Sequence, residues 1–254
     1  AFPADIEAGE DAVVLEESIE IDIASGTEAR VRHFNRTRIL TQRGADEHGQ
    51  ATISLNPWIT VRDVRASVST PQGKVVPVKK QNVWEGSYFA SFELFADRKH
   101  RTIDFPGVTP GAVLEYEHET LVRNLYYLRL TFDLQDEIPV RSRTITLRLP
   151  SSMGMRHSVR GASPEYTREE QDGRVTHRWR IRDVAAYKEE PDMPPPSDVV
   201  PALSIFLKEM LWDTHRIDAS TWDGIARWYW DLARDRMLPD EAVERTAREI
   251  SRGV

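Results

Sequence analysis

Apolar and polar positions alternate along most of this chain. Ile19, Ile21 and Ile23 are separated by Glu20 and Asp22, the period of a half-buried strand. Ser25-Gly26-Thr27 marks a tight turn, and Ala29, Val31 and His33 then alternate with Arg30 and Arg32, so a hairpin is expected. Trp58 to Ser69 reads as another strand, closed by a type I turn at Thr70-Pro71-Gln72-Gly73, with Val75 to Val78 beyond it. Val83 to Phe95 is aromatic-rich and reads either as a strand or as a loop. Pro106-Gly107-Val108-Thr109-Pro110-Gly111 joins two extended segments, with positive φ expected at Gly107 and Gly111. Val113 to Phe132 is too long for one ordinary strand, which predicts a bulge or a bend across two sheets. Ile145, Leu147 and Leu149 share one face of a strand that Pro150 ends. Asp172-Gly173 signals a hairpin, after which His177, Trp179 and Ile181 face inward and Arg178, Arg180 and Arg182 outward. Short strands at this turn spacing predict an antiparallel β-sandwich.

The pattern changes near residue 188. Glu190-Pro191-Asp192-Met193-Pro194-Pro195-Pro196-Ser197 reads as an extended connector, and Val199 to Trp212 as one more strand. Helical periodicity follows. Ser220 is the expected N-cap of a helix whose apolar face is Trp222, Ile225, Ala226, Tyr229, Leu232 and Ala233, with Trp228 and Trp230 pointing elsewhere. Pro239 opens a second helix at its first position, with Val243, Ala247 and Ile250 as the stripe. The expected fold is therefore mainly β, an antiparallel sandwich over 1–212 with a helical segment over 213–254. Aromatic residues on more than one side of the first helix imply that the sandwich covers one face and a neighbouring domain another.

Composition narrows the function. The 254 residues leave room for one to two domains, with 40% hydrophobic residues to build a core. Asp and Glu outnumber Lys and Arg by 41 to 34, a formal charge of −7, which argues against nucleic acid as a partner. The arginines fall at period two, as in Arg30, Arg32, Arg36 and Arg38, and read as the solvent face of strands. No apolar run is long enough for a transmembrane helix. The chain has no cysteine, which removes disulfides, zinc–thiolate sites and any cysteine nucleophile. It begins Ala1-Phe2-Pro3, as a processed chain or a fragment would.

Candidate chemistry is sparse. His33, His48, His100, His118, His157, His177 and His215 make no HxH or HExxH spacing, so neither a metal nor another cofactor is expected. His33, His118 and His177 fall at inward strand positions and read as satisfied core histidines. Asp46, Glu47 and His48 read as a loop without calcium-ligand spacing. Glu115 and Glu117 share one strand face about 7 Å apart. They are the entry to a stand-alone hydrolase reading, against which stands a solvated, structural strand face. Trp58, Trp84, Tyr88, Phe89, Tyr126 and Tyr127 could form a stacking platform for sugar or peptide, or could be packing residues. Trp222, Trp228, Tyr229 and Trp230 are the expected domain-interface residues.

Four stretches together resemble one family. They are Thr37-Arg38-Ile39-Leu40-Thr41-Gln42-Arg43-Gly44-Ala45 with Ser54-Leu55-Asn56-Pro57, then Thr102 to Gly111 running into Leu114-Glu115-Tyr116, then Pro139-Val140-Arg141-Ser142-Arg143, then Glu190 to Pro195. In that order they resemble the domain of unknown function 3857, the β-sandwich module that precedes a transglutaminase-like domain in exported bacterial proteins. Thr221-Trp222-Asp223 to Trp228-Tyr229-Trp230 is similar to the helix that opens that next domain. The resemblance implies a periplasmic or secreted setting and a transglutaminase-like domain in cis as partner. It also implies that a longer polypeptide would be a cysteine peptidase or amidase. No catalytic residue carries over, because the Cys-His-Asp triad has no cysteine here. The expected role is a non-catalytic module that packs against the catalytic domain and presents protein or peptide substrate. The alternative is a carbohydrate- or cell-wall-binding module that uses exposed aromatics.

Overall fold

The computed structural model describes residues 6–25, 27–87, 99–123, 129–212, 215–237 and 239–252. In chain order these form β1 (Ala12–Ser25), β2 (Glu28–Ile39), α1 (Gln42–His48), β3 (Gln50–Leu55), β4 (Ile59–Ser69), β5 (Val75–Pro77), β6 (Val83–Ser87) and β7 (Lys99–Asp104). There follow β8 (Val113–Arg123), β9 (Arg129–Asp133), β10 (Val140–Pro150), β11 (Met155–Arg160), β12 (Glu165–Gln171) and β13 (Arg174–Val184). The rest is α2 (Pro196–Val199), β14 (Ala202–Leu207), β15 (Glu209–Trp212), β16 (His215–Asp218), α3 (Trp222–Met237) and α4 (Glu241–Ser251).

One sheet of eight strands, ordered β12-β13-β10-β1-β2-β8-β4-β5, carries the fold. Two three-stranded sheets, β11-β14-β9 and β3-β7-β6, cover it. Both lie on the same side. Ala29 belongs to the core under β14, and Ile39 to the core under β3 and β7. The two are ten residues apart on β2, an even spacing that puts them on one face. Under β14, Ile21, Ile23, Ile145, Leu147, Leu149 and Trp179 meet Leu203, Ile205 and Leu207. Under the other sheet, Ile39, Val68 and Leu114 meet Ile53, Ile103 and Phe105. The fold is thus the expected sandwich, with its second layer in two pieces. The sheets are antiparallel apart from β1 and β10, which run parallel because β10 arrives from the far layer, after β9, and not through a hairpin.

The outer face of the large sheet is a lattice of ion pairs. Arg36 Nε donates to Glu115 Oε2 at 2.9 Å, Arg32 lies 3.4 Å from Glu117, and Arg148 Nη1 donates to Glu20 at 2.9 Å. This is the solvent face expected for the period-two arginines. Each exposed pair contributes little to stability. Glu115 and Glu117 are held here as arginine partners, as the strand-face reading expects.

The turns follow their residues. Asp172 and Gly173 have φ of 52° and 73°, the two left-handed positions of a type I′ hairpin. Gly73 N–H donates to the Thr70 carbonyl at 2.8 Å. Val113 to Phe132 divides between β8 of the large sheet and β9 of a small one, as its length required. Gly111 has φ of 86°, and a Cβ there would sit 3.2 Å from Pro71 Cγ. Gly111→Val is therefore expected to cost about 1–3 kcal/mol and to lower the melting temperature. An unchanged thermal melt would contradict this reading of the turn.

Several expectations need correction. Asp46, Glu47 and His48 lie in α1 and not in a loop. Thr41 caps this helix by accepting from Gly44 N–H at 3.1 Å, and its own hydroxyl donates to Asp11. Val199 to Trp212 is two strands, with β14 inside the sandwich and β15 paired to β16 in a separate hairpin, so position 212 falls at the end of β15. The proline-rich connector ends in one helical turn, α2, because Pro196 sits at a helix start, where a missing N–H costs nothing. Thr221, not Ser220, caps α3, accepting from Gly224 N–H at 3.0 Å. Asp240, not Pro239, begins α4, accepting from Val243 N–H at 2.8 Å.

The face of α3 is also different. Among the described residues the helix lies mainly against β16, and none of its residues is fully buried. Gly224 decides which side turns in, because a Cβ there would fall 2.2 Å from the Asp218 carbonyl oxygen. Gly224, Ile225 and Trp228 consequently face inward, and Trp222, Tyr229 and Trp230 face out.

Candidate functional site

A belt of polar side chains crosses the inner face of the large sheet between the two apolar cores. It comprises Arg143 of β10, Glu17 of β1, His33 of β2, and Tyr116 and His118 of β8. Strand register builds it: Glu17 pairs with Arg143 across β1 and β10, and His33 with His118 across β2 and β8. Glu17 and Arg143 are both buried. One Glu17 oxygen meets His33 Nε2 at 2.7 Å, and the other accepts from Arg143 Nε. Arg143 also donates to the Asp133 carbonyl at 2.9 Å and to the Asp136 carboxylate. The guanidinium thereby ties the β9–β10 connection to the floor of the sandwich.

Electrostatics follow from burial and partners. Burial pushes the Glu17 carboxyl up, but hydrogen bonding to His33 and the charge of Arg143 outweigh it and hold its pKa at about 2. Burial raises Asp136, with Arg143 opposing. Burial raises the Tyr116 phenol, with Glu17 adding to the effect. His118 has a buried Nδ1 without a hydrogen-bond partner among the described residues, and burial, aided by His33 and Arg101, lowers its pKa to about 4.

This last value predicts a pH dependence. Between its ordinary 6.5 and about 4, the unfolded chain binds a proton at His118 that the folded chain refuses. Stability from this group is intact above pH 6.5 and falls by about 2–3 kcal/mol as the pH drops through 4. Urea unfolding at pH 7 and pH 4.5 checks it. His118→Leu should flatten the difference, and an unchanged pH dependence in that variant would contradict it.

Above the belt lies a cleft of about 380 Å³ between the two small sheets, lined among others by Asn35, Tyr116, Asp133, Gln135, Asp136 and Tyr187. Glu17 uses both oxygens on His33 and Arg143, and no hydroxyl or other nucleophile is hydrogen-bonded to His33 among the described residues. Among the described residues no group of three or more His, Asp or Glu could hold a metal ion. The core-histidine expectation fits His33, bonded to Glu17, and His177, whose Nδ1 meets the Tyr166 hydroxyl at 2.8 Å. It does not fit the Nδ1 of His118, which is buried without such a bond among the described residues.

The aromatic candidates divide. Trp58 and Trp84 are exposed but sit on different sheets: Trp58 just ahead of β4, Trp84 in β6. Tyr88, Phe89, Tyr126 and Tyr127 lie outside the described residues. Trp222, Tyr229 and Trp230 are 86%, 67% and 58% exposed, whereas Trp228 is half-buried against the β15–β16 hairpin side. Sequence reasoning missed the Glu17–Arg143–Asp136 network. Its signal was present, since Glu17 continues the inward series Ile19, Ile21, Ile23, and Arg143 continues Ile145, Leu147, Leu149.

No protein of curated function matches the chain by sequence. Among solved structures, the crystal structure of a putative protease from Parabacteroides distasonis ATCC 8503 superposes with a TM-score of 0.70 at 17% identity, covering 78% of this chain and 41% of that one. This chain therefore spans about two-fifths of that protein's length, and the likeness concerns the fold. An M1 zinc metallopeptidase from Deinococcus radiodurans also aligns over 82% of this chain and 46% of its own, but at 10% identity and a TM-score of 0.41. The model of the domain of unknown function with solved structure, DUF3857, matches residues 11–188, well over half of the sequence, and the chain belongs to that family.

Proposed function

We propose that this chain is the non-catalytic β-sandwich module of a longer, exported polypeptide. It packs against a transglutaminase-like catalytic domain and helps present protein or peptide substrate to it. The observation that carries the reading is the outward face of α3. Trp222, Tyr229 and Trp230 stand in solvent on a helix that leans only lightly on β16, and α4 buries nothing. Large aromatics are the side chains that most often anchor interfaces, and three on one exposed helix suit a packed neighbour. The fold match supports the same reading, since the similar putative protease is more than twice as long as the part it shares with this chain. The carboxylates offer no rival site, because Glu115 and Glu117 are engaged with Arg36, Arg32 and Arg65 on the solvent face.

The purified chain is accordingly expected to hydrolyse casein and common glycans at background rates only. Turnover that survives repurification and disappears in Glu115→Gln or Glu117→Gln would overturn the non-catalytic reading.

A further inference from the structure

The outer face of the β3-β7-β6 sheet carries a second surface, built from elements other than α3. Alternation puts Ala51, Ile53 and Leu55 of β3 against the core and turns Gln50, Thr52 and Ser54 outward. Register places Thr52 beside Thr102 and Ser54 beside His100 on β7, with Trp84 and Gly86 of β6 on the far side of the same two residues. Trp84 is 47% exposed and meets His100 edge-on, with ring centroids 5.5 Å apart. Gly86 makes this packing possible. A Cβ at that position would sit 2.7 Å from His100 Nε2 and 2.9 Å from Trp84 Cζ3. The two rings thus border a cavity of about 700 Å³, whose other polar lining is chiefly hydroxyl and amide groups.

The chemistry of that lining is selective. Among the described residues it offers one aromatic wall, the hydroxyls of Thr52 and Ser54, the amides of Gln50 and Asn56, and a single charged residue, Lys99. His100 lines the cavity beside Trp84. An anion would ask for more than one cation, and a cationic ligand for a carboxylate, which the lining lacks among the described residues. A molecule with one apolar ring face and many neutral hydroxyls fits both requirements, lying on the indole and hydrogen-bonding to the hydroxyl and amide groups. We infer that the Trp84–His100 face of the β3-β7-β6 sheet is a binding site for neutral saccharide.

Ligand-observed saturation-transfer NMR with cellotriose, chitotriose and maltotriose tests this on the whole chain. At least one trisaccharide should bind saturably with millimolar affinity. Trp84→Ala should weaken that binding tenfold or more while the chain remains folded, with its sheet content unchanged by circular dichroism. Trp84→Phe, which keeps a ring for stacking, should retain most of it. Absence of transfer from all three sugars would overturn the inference. So would binding that persists in Trp84→Ala, or a proline-rich peptide that binds at Trp84 where the sugars do not. None of these outcomes bears on docking through α3, so the two readings fail separately.

Discussion

Replacing Arg143 with methionine is expected to destabilise the chain by about 3–5 kcal/mol. The substitution keeps much of the apolar volume but strands the buried Glu17 carboxylate and removes the donors to Asp136 and to the Asp133 carbonyl. Removing one member of a buried ion pair leaves an uncompensated charge, which is the expensive outcome. Pairing it with Glu17→Leu should restore part of the loss, because the charge left behind is then gone. The urea midpoint of the three proteins measures this. A loss under about 1 kcal/mol in the single variant would mean that the belt does not fasten the β9–β10 connection.

The belt also shows what was legible in the sequence. Strand alternation gave the inward faces of β1, β10 and β13 residue by residue, including Trp179 and His177, and it placed the arginines of β2 outward. The same alternation puts Glu17 and Arg143 inward, but it does not say that they meet. That depends on the parallel pairing of β1 with β10, two strands more than a hundred residues apart with no local turn to announce their register. The split second layer was hidden for a similar reason, since an alternating segment reads the same in either sheet. Helix α1 was missed because its seven residues carry only Ala45 into the core. What fixes it is Gly44, which lies so close to the Asp11 backbone that a Cβ would sit 2.0 Å from its carbonyl oxygen. In α3 the apolar arc was wide enough to allow more than one buried face, and the glycine contact with Asp218 selected among them.

Replacing Trp222, Tyr229 and Trp230 together by serine is expected to weaken the proposed docking onto a neighbouring domain by about 100-fold, close to 3 kcal/mol. Interface aromatics often cost about 2 kcal/mol or more each when truncated, and three neighbours on one helix are not additive. The sandwich should be untouched, because these side chains make no part of either core. Calorimetry of the longer polypeptide measures both effects. The wild type should melt with module and neighbour coupled, and the triple variant should resolve into two transitions, with that of the module unmoved. A single coupled transition in the triple variant would assign the interface to another surface.

Hydrogen exchange across residues 222–251 tests the proposed docking most directly. In the isolated chain, shown to be monomeric, α3 and α4 should exchange much faster than β13 around Trp179, because neither helix has a buried residue. In the longer polypeptide the outward face of α3 should become protected. Protection of α3 in the isolated monomer equal to that of β13, or no gain of protection in the longer polypeptide, would contradict docking through this helix.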